Sequence, residues 1–359
     1  MKIGIILGTR PEIIKMSPVI RECIKTGQDF FILHTGQHYS DDLDSVFFEQ
    51  LNLPEPKYNL KIGSGSHGSQ TGNMMIEIEK VLLEEKPEIV LVQGDTNTVL
   101  AGALVASKMH ILVGHIEAGL RSGDKSMPEE INRILTDHCS DFLFAPTKDS
   151  ENILLNEGIG KEKVFLTGNT VVDAVYQNLE ISKKKNIILD KLHIVKDKYF
   201  LVTSHRQENV DNKERFKNII KGLELVFNKY DLPIIYPMHP RAKKMLNNFK
   251  IQSDKIKFLD PIDYLSFLQL ESNAKVILTD SGGLQEEACI LKIPCVTLRD
   301  NTERPETVIN GSNMLVGVNA NKILEGVEKM SGFNLEYGGI FGNGKSAENI
   351  IKIIKKYGK

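Results

Sequence analysis

The sequence predicts an α/β protein of two domains, each a parallel sheet covered by helices, with the ends of the two sheets facing a central cleft. Three observations lead there. Short apolar runs alternate with longer amphipathic stretches almost throughout the chain, the pattern of parallel strands buried on both faces. The chain has 359 residues, more than one ordinary domain needs. Polar clusters follow the apolar runs one after another, at the strand ends where open parallel sheets bind ligands.

In the first half the strand-like runs are residues 3–7, 30–34, 89–92, 112–116, 142–144 and 164–166, with helical periodicity at 12–25, 72–85 and 99–108. The second half repeats the plan, with strands at 199–203, 234–237, 256–258, 276–279 and 295–297 and helices at 215–229, 264–271 and 284–291. The Lys- and Asn-rich stretch 182–198 reads as a solvated connection, placing the domain boundary between about 170 and 198. The expected domains are 1–175 and 176–359, with the last helix packing back on the first domain.

A formal net charge of -2, with 41% hydrophobic and 26% charged residues, describes an ordinary globular protein without the basic surface that nucleic acid or an anionic membrane needs. No apolar run approaches the roughly 20 residues of a membrane helix. The opening MKIGIILGTR lacks the length and cleavage site of a signal peptide. Cys23, Cys139, Cys289 and Cys295 are scattered, without a CxxC pair or a nearby His cluster, and read as buried reduced thiols. A cytoplasmic location follows.

Anion-binding residues cluster in both halves. Asp280-Ser281-Gly282-Gly283 follows a strand and opens a helix, where backbone N–H groups and glycines allow close approach of a phosphate. Glu286 and Glu287 in the first turn either stabilise the helix dipole or accept ribose hydroxyls. Arg10 and Lys15 flank the first strand-to-helix turn, and His205, Arg206 and Arg304 add donors in the second half.

Carboxylates cluster in the first half. Asp95 follows one strand, where it serves as a helix N-cap or as an acid/base. Glu117 follows another strand and precedes the Gly-Leu-Arg-Ser-Gly loop, with no evident capping duty. Glu129 precedes Arg133 by four residues, a spacing that pairs them on one helical face. Inverting a carbon that bears hydrogen requires a proton taken from one face and another delivered to the opposite face, work suited to carboxylates with tuned pKa values. No G-x-G-x-x-G, P-loop, nucleophile elbow or metal-ligand spacing is present, so neither cofactor nor metal is expected.

Together, Gly8-Thr9-Arg10-Pro11-Glu12, Gly94-Asp95-Thr96, His115-Ile116-Glu117-Ala118-Gly119-Leu120-Arg121 and Pro128-Glu129-Glu130-Ile131-Asn132-Arg133 resemble the non-hydrolysing UDP-N-acetylglucosamine 2-epimerases. So do Thr167-Gly168-Asn169-Thr170, the segment from Thr279 to Glu287, and Arg299 through Glu306, in order over nearly the whole chain. The resemblance implies two Rossmann-like domains in the glycosyltransferase-B architecture, a homodimer, and a UDP-sugar substrate. It implies elimination of UDP to 2-acetamidoglucal and re-addition with C2 inverted, supplying N-acetylmannosamine units for cell-surface polysaccharide or glycan synthesis.

By the same resemblance, Asp95, Glu117 and Glu129 are the acid/base groups and His205 lies near the diphosphate. Arg10, Lys15, Arg133, Phe267, Ser281, Gly282, Gly283, Glu287 and Arg304 match substrate-binding positions. Gln37, His38 and Gln70 match positions that hold an allosteric substrate molecule in many bacterial members, whereas Ser69 and Ser40 replace an Arg and a Gln of that site. Ile262 replaces a polar residue near the uracil. The competing readings are a hydrolysing 2-epimerase that releases free N-acetylmannosamine, a transferase on the same fold, and a nucleotide-sugar sensor.

Overall fold

The computed structural model describes residues 1–37, 41–185, 187–332 and 339–357, without the side chains of residues 41–45 and 185. The chain forms two compact units, Met1–Gln177 with Phe341–Lys359, and Asn178–Ile340.

The first unit contains β1 (Lys2–Leu7), α1 (Arg10–Lys25), β2 (Asp29–His34), α2 (Asp41–Gln50), β3 (Tyr58–Asn59), α3 (His67–Glu85), β4 (Ile89–Gln93) and α4 (Asn97–Lys108). It continues through β5 (Leu112–Ile116), α5 (Pro128–Cys139), β6 (Phe142–Ala145), α6 (Lys148–Asn156), β7 (Val164–Leu166) and the start of α7 (Thr170–Lys185). The seven strands form one parallel sheet in the order β3-β2-β1-β4-β5-β6-β7. Residues 3–7 of β1 and all of β4 are buried without alternation, because helices cover both faces of the sheet. On one face Ile6, Val90 and Val92 pack against Met74 and Ile78 of α3 and Val99 and Ala103 of α4.

The second unit contains α8 (Ile188–Leu192), β8 (Phe200–Thr203), α9 (Gln207–Val210), α10 (Lys213–Tyr230), β9 (Ile234–Pro237), α11 (Pro240–Asn248), β10 (Ile256–Leu259) and α12 (Tyr264–Asn273). These are followed by β11 (Val276–Thr279), α13 (Gly282–Leu291), β12 (Cys295–Thr297), α14 (Pro305–Ile309), β13 (Asn313–Leu315) and α15 (Ala320–Ser331). Its six strands form a second parallel sheet, β10-β9-β8-β11-β12-β13. Residues Phe200, Val202, Phe216, Leu223, Tyr236 and Ile323 belong to its larger core.

The last helix, α16 (Ser346–Tyr357), belongs to the first unit and packs on α1. Its first turn is capped from a distance: Asp173 accepts from the Ser346 and Ala347 N–H groups at 3.2 and 3.0 Å.

Several boundaries differ from those read in the sequence. Helix α3 starts at His67, not 72, because Gly68, Ser69 and Gly72 interrupt the apolar period. Strands β3 and β13 have only two and three residues, too few to register as period-two patterns. The stretch 182–198 is not a bare solvated connection. Helix α7 runs into it, α8 follows, and Ser182 is buried with its hydroxyl donating to the Leu265 carbonyl at 2.6 Å. Ile188, Leu189, Leu192 and Ile194 pack there against the second unit's core, a pattern the intervening lysines hide. Three of the four free cysteines are buried and Cys139 is half-buried. Among the described residues no helix is long and apolar enough to cross a membrane.

Candidate active site

In the first sheet the connection after β1 leads to β2 on one side, while that after β4 leads to β5 on the other. The pair β1/β4 is therefore the switch point, where a crevice opens beyond the strand ends. A cavity of about 690 Å³ lies here, walled by Gly8, Thr9, Arg10, Asp95, Asn97 and Glu129 among others. A Cβ on Gly8 would sit 2.1 Å from the Thr35 hydroxyl and 2.3 Å from that of Thr98. Only glycine lets this turn pass beneath the site.

Thr9 is the N-cap of α1. The Glu12 carboxylate folds back to accept from the Gly8 and Thr9 N–H groups at 2.6 and 3.0 Å and from the Thr96 hydroxyl at 2.5 Å. Burial pushes Glu12 up to about 7 against the opposing pull of these three bonds. Glu12 thus ties the β1 turn to the β4 turn.

Glu117 follows β5 with a backbone φ of 70° and is buried. A non-glycine residue in the left-handed region costs about 1 kcal/mol or more, so surrounding structure has to impose it. Lys15 Nζ reaches both Glu117 oxygens at 2.8 and 2.7 Å, and the Gln93 amide donates to Oε2. Lys15 thereby touches the acid/base carboxylate that the resemblance implies.

Asp95 is not the N-cap of α4. Thr96 is, accepting from the Val99 N–H at 3.4 Å, which leaves the Asp95 carboxylate to accept from Arg133. The anticipated Glu129–Arg133 pair does not form. Arg133 binds Glu130 one turn back at 2.7 Å and reaches across to Asp95, because Glu130 is fixed by the Ser122 and Gly123 N–H groups at 2.9 and 3.0 Å. Glu129 is left half-buried on the cavity wall with no hydrogen bond or ion pair among the described residues.

Arg10 lies on the same wall, its guanidinium 5.4 Å from the Phe47 ring centre. Gln37 and Gln70 also line the cavity but are engaged. Gln37 accepts from the Thr98 N–H and hydroxyl at 3.2 and 2.8 Å, and Gln70 donates to the Gln37 and Gly63 carbonyls at 2.9 and 2.8 Å. His38 lies outside the described residues.

The second unit has its own switch point between β8 and β11. Asp280, fully buried, accepts from the Ser204 hydroxyl at 2.7 Å, the His205 and Arg206 N–H groups at 3.1 and 3.2 Å, and the Asn209 amide at 3.0 Å. It fixes the loop that presents His205, whose ring stands 5.6 Å from His239. Helix α13 begins at Gly282 with Ser281 at the N-cap, and the Ser281 side chain makes no capping bond. Ser281, Gly282 and Gly283 together thus offer a hydroxyl and helix-terminal N–H groups suited to an anion.

Arg304 pairs with Glu286 at 3.0 Å. Phe267 packs half-buried on the smaller core of this unit. Glu287 adjoins Glu271, which burial and the Glu287 carboxylate push well above the usual carboxylate range.

Within the first unit, Arg10, Asp95, Glu129, Gln37 and Gln70 meet at the cavity, whereas Lys15, Glu117 and Arg133 bind groups behind or beside it. Sequence reasoning missed Glu12, Gln93 and Asn132. Asn132 donates to the Asp95 carbonyl at 2.9 Å. Glu12 carries the N3 signature of a capping box; Gln93 and Asn132 carry no local signal.

Two doubly wound parallel sheets, each with its polar residues at the switch point, define an α/β protein of the glycosyltransferase-B-like class. The sequence model for UDP-N-acetylglucosamine 2-epimerase matches residues 21–355. A UDP-N-acetylglucosamine 2-epimerase of Methanocaldococcus jannaschii is 60% identical over 366 residues, covering 100% of both chains. The crystal structure of the UDP-GlcNAc 2-epimerase of that organism in complex with UDP-GlcNAc and UDP superposes with a TM-score of 0.87, over 99% of this chain and 100% of that one. The Neisseria meningitidis UDP-GlcNAc 2-epimerase bound to UDP-GlcNAc is 36% identical, with a TM-score of 0.87 over 99% and 100% of the two chains. The chain belongs to the UDP-N-acetylglucosamine 2-epimerase family.

Proposed function

We propose that the protein interconverts UDP-N-acetylglucosamine and UDP-N-acetylmannosamine by eliminating UDP and adding it back. A carboxylate removes the C2 proton while the C1–O bond breaks and its electron pair leaves with UDP, giving 2-acetamidoglucal. UDP then re-adds at C1 and a proton reaches C2 from the opposite face. The observation that carries this reading is the first unit's arrangement of three carboxylates around β4, β5 and α5 in three different settings. Glu117 is buried and held by Lys15, Asp95 is bound by Arg133, and Glu129 stands on the cavity wall unpaired among the described residues. Distinct environments are what separate an acid from a base.

C2 carries no acidifying carbonyl, so stabilising the departing diphosphate is the main catalytic contribution. In this reading the second unit binds UDP. Ser281 and the N–H groups of Gly282 and Gly283 hold the diphosphate with His205, Glu287 takes the ribose, and Phe267 and Arg304 bind around the base and phosphates. The first unit supplies Asp95, Glu117 and Glu129 for proton transfer, with Arg10, Lys15 and Arg133 beside them. Four free thiols support a cytoplasmic location. Ile131 and Leu135, exposed on α5, support a homodimer, measurable as twice the 40.3 kDa chain mass in light scattering.

The test is incubation with UDP-N-acetylglucosamine in D2O, followed by NMR. UDP-N-acetylmannosamine carrying deuterium at C2 is the expected product. Glu117→Gln should slow its formation by on the order of 100-fold or more. Free N-acetylmannosamine would instead establish hydrolysis, and no reaction without an acceptor would point to transfer or sensing.

A further inference from the structure

Asp95 and Glu117 sit on two loops, one after β4 and one after β5, each beginning in left-handed backbone. Gly94 has a φ of 87°, Glu117 of 70° and Gly119 of 81°. Such turns do not hold themselves, and a single side-chain pair between them binds both. His115 is fully buried in β5. Its Nε2 lies 2.8 Å from the Gly94 carbonyl oxygen and its Nδ1 lies 2.6 Å from Asp137 Oδ1. Asp137, on α5 and also buried, accepts through its other oxygen from the Gly119 N–H at 3.1 Å and from Arg121 at 2.7 Å.

A carbonyl oxygen cannot donate, so Nε2 must carry a hydrogen. Asp137 already accepts two N–H groups at Oδ2 and faces Nδ1 with Oδ1, the setting of a carboxylate, so Nδ1 must carry one too. Arg121 continues the chain outward, donating to both Glu157 oxygens at 2.8 and 2.6 Å. The charges of His115, Asp137, Arg121 and Glu157 then sum to zero within one hydrogen-bonded network, so mutual attraction offsets the desolvation of its buried members.

We propose that a doubly protonated His115, paired with Asp137, is a positioning residue for the reaction. It clamps the Gly94 carbonyl on one side and, through Asp137, the Gly119 N–H on the other, so that Asp95 and Glu117 are held in register. His115 itself touches no substrate; it acts through the backbone. The proposal rests on the reading that Asp95 and Glu117 transfer protons.

His115→Phe keeps the ring volume and removes both donors. Its kcat should fall on the order of 10- to 100-fold, the cost of a small misplacement of reacting groups. KM for UDP-N-acetylglucosamine should stay within about threefold, since uniform binding is untouched. Asp137→Asn should show the same split between kcat and KM. A purely structural role would instead lower the melting temperature and leave kcat per folded molecule unchanged. Nitrogen NMR of the wild-type enzyme at neutral pH should show both His115 ring nitrogens protonated, and this decides the matter if His115→Phe does not fold. A wild-type kcat in folded His115→Phe, or a neutral ring in the spectrum, overturns the clamp. If Asp95→Asn and Glu117→Gln themselves turn over normally, the catalytic reading has failed; if both are inactive while His115→Phe is normal, the clamp alone has failed.

Discussion

At the scale of single residues, the site spends local backbone energy to aim its carboxylates. Glu117 occupies a conformation that most side chains avoid, and two donors, Lys15 and Gln93, meet its carboxylate there. Glu12 is another unusual carboxylate, pushed by burial to about 7 although three donors face it. Its folded-state value exceeds that of an exposed glutamate, so between about pH 4.5 and 7 the native state binds more protons here than the unfolded chain. This group's contribution to stability is therefore complete below about pH 4.5 and is lost as the pH rises through about 7. Glu12→Gln should flatten that part of the melting temperature–pH profile. Thermal melts of the two proteins across that range would show it, and an unchanged slope would mean that Glu12 is ionised throughout. The capping-box spacing is the one local signal that marks Glu12 as a helix-start residue, and the sequence reading passed over it; its burial leaves no local signal, since Thr96 lies 84 positions away.

At the scale of elements, the parallel strands and long helices were legible because their apolar periods are strong and turn residues bound them. Elements set by capping or pairing were not. Helix α16 shows the difference: its apolar face is periodic and its return to the first domain was expected from the sequence, but not the cap at its start, where Asp173 meets two N–H groups 173 and 174 residues further on. Asp173→Ala should destabilise the first unit by about 1–2 kcal/mol, the usual cost of losing a helix cap. Urea titration would measure it, and faster proteolysis near residue 345 should accompany it. A stability equal to wild type would mean that packing on α1 alone holds the helix. The lysine run before β8 erred in the opposite direction, since its charges suggested solvent while Ile188, Leu189 and Leu192 pack between them.

At the scale of the whole molecule, binding of UDP provides a test of which unit recognises the nucleotide. A ligand at a hundredfold its Kd stabilises the state that binds it by about 2.7 kcal/mol. UDP alone should therefore raise the melting temperature, with amide-exchange protection concentrated at the ends of β8 and β11 and the first turn of α13. Protection confined to the β1 and β4 turns would reassign the nucleotide to the first unit. The alternation of strands and helices, the glycine turns and the family itself were determined by the sequence alone. All are short-range patterns, readable within a few residues or as intact motifs. Only the tertiary structure decided that Arg133 binds Asp95 rather than Glu129, that Lys15 reaches Glu117, and that His115 and Asp137 hold two loops at once. Those choices join groups 18 to 102 positions apart. Where several partners have suitable charge, packing distance selects among them, and that distance is not written in the local sequence.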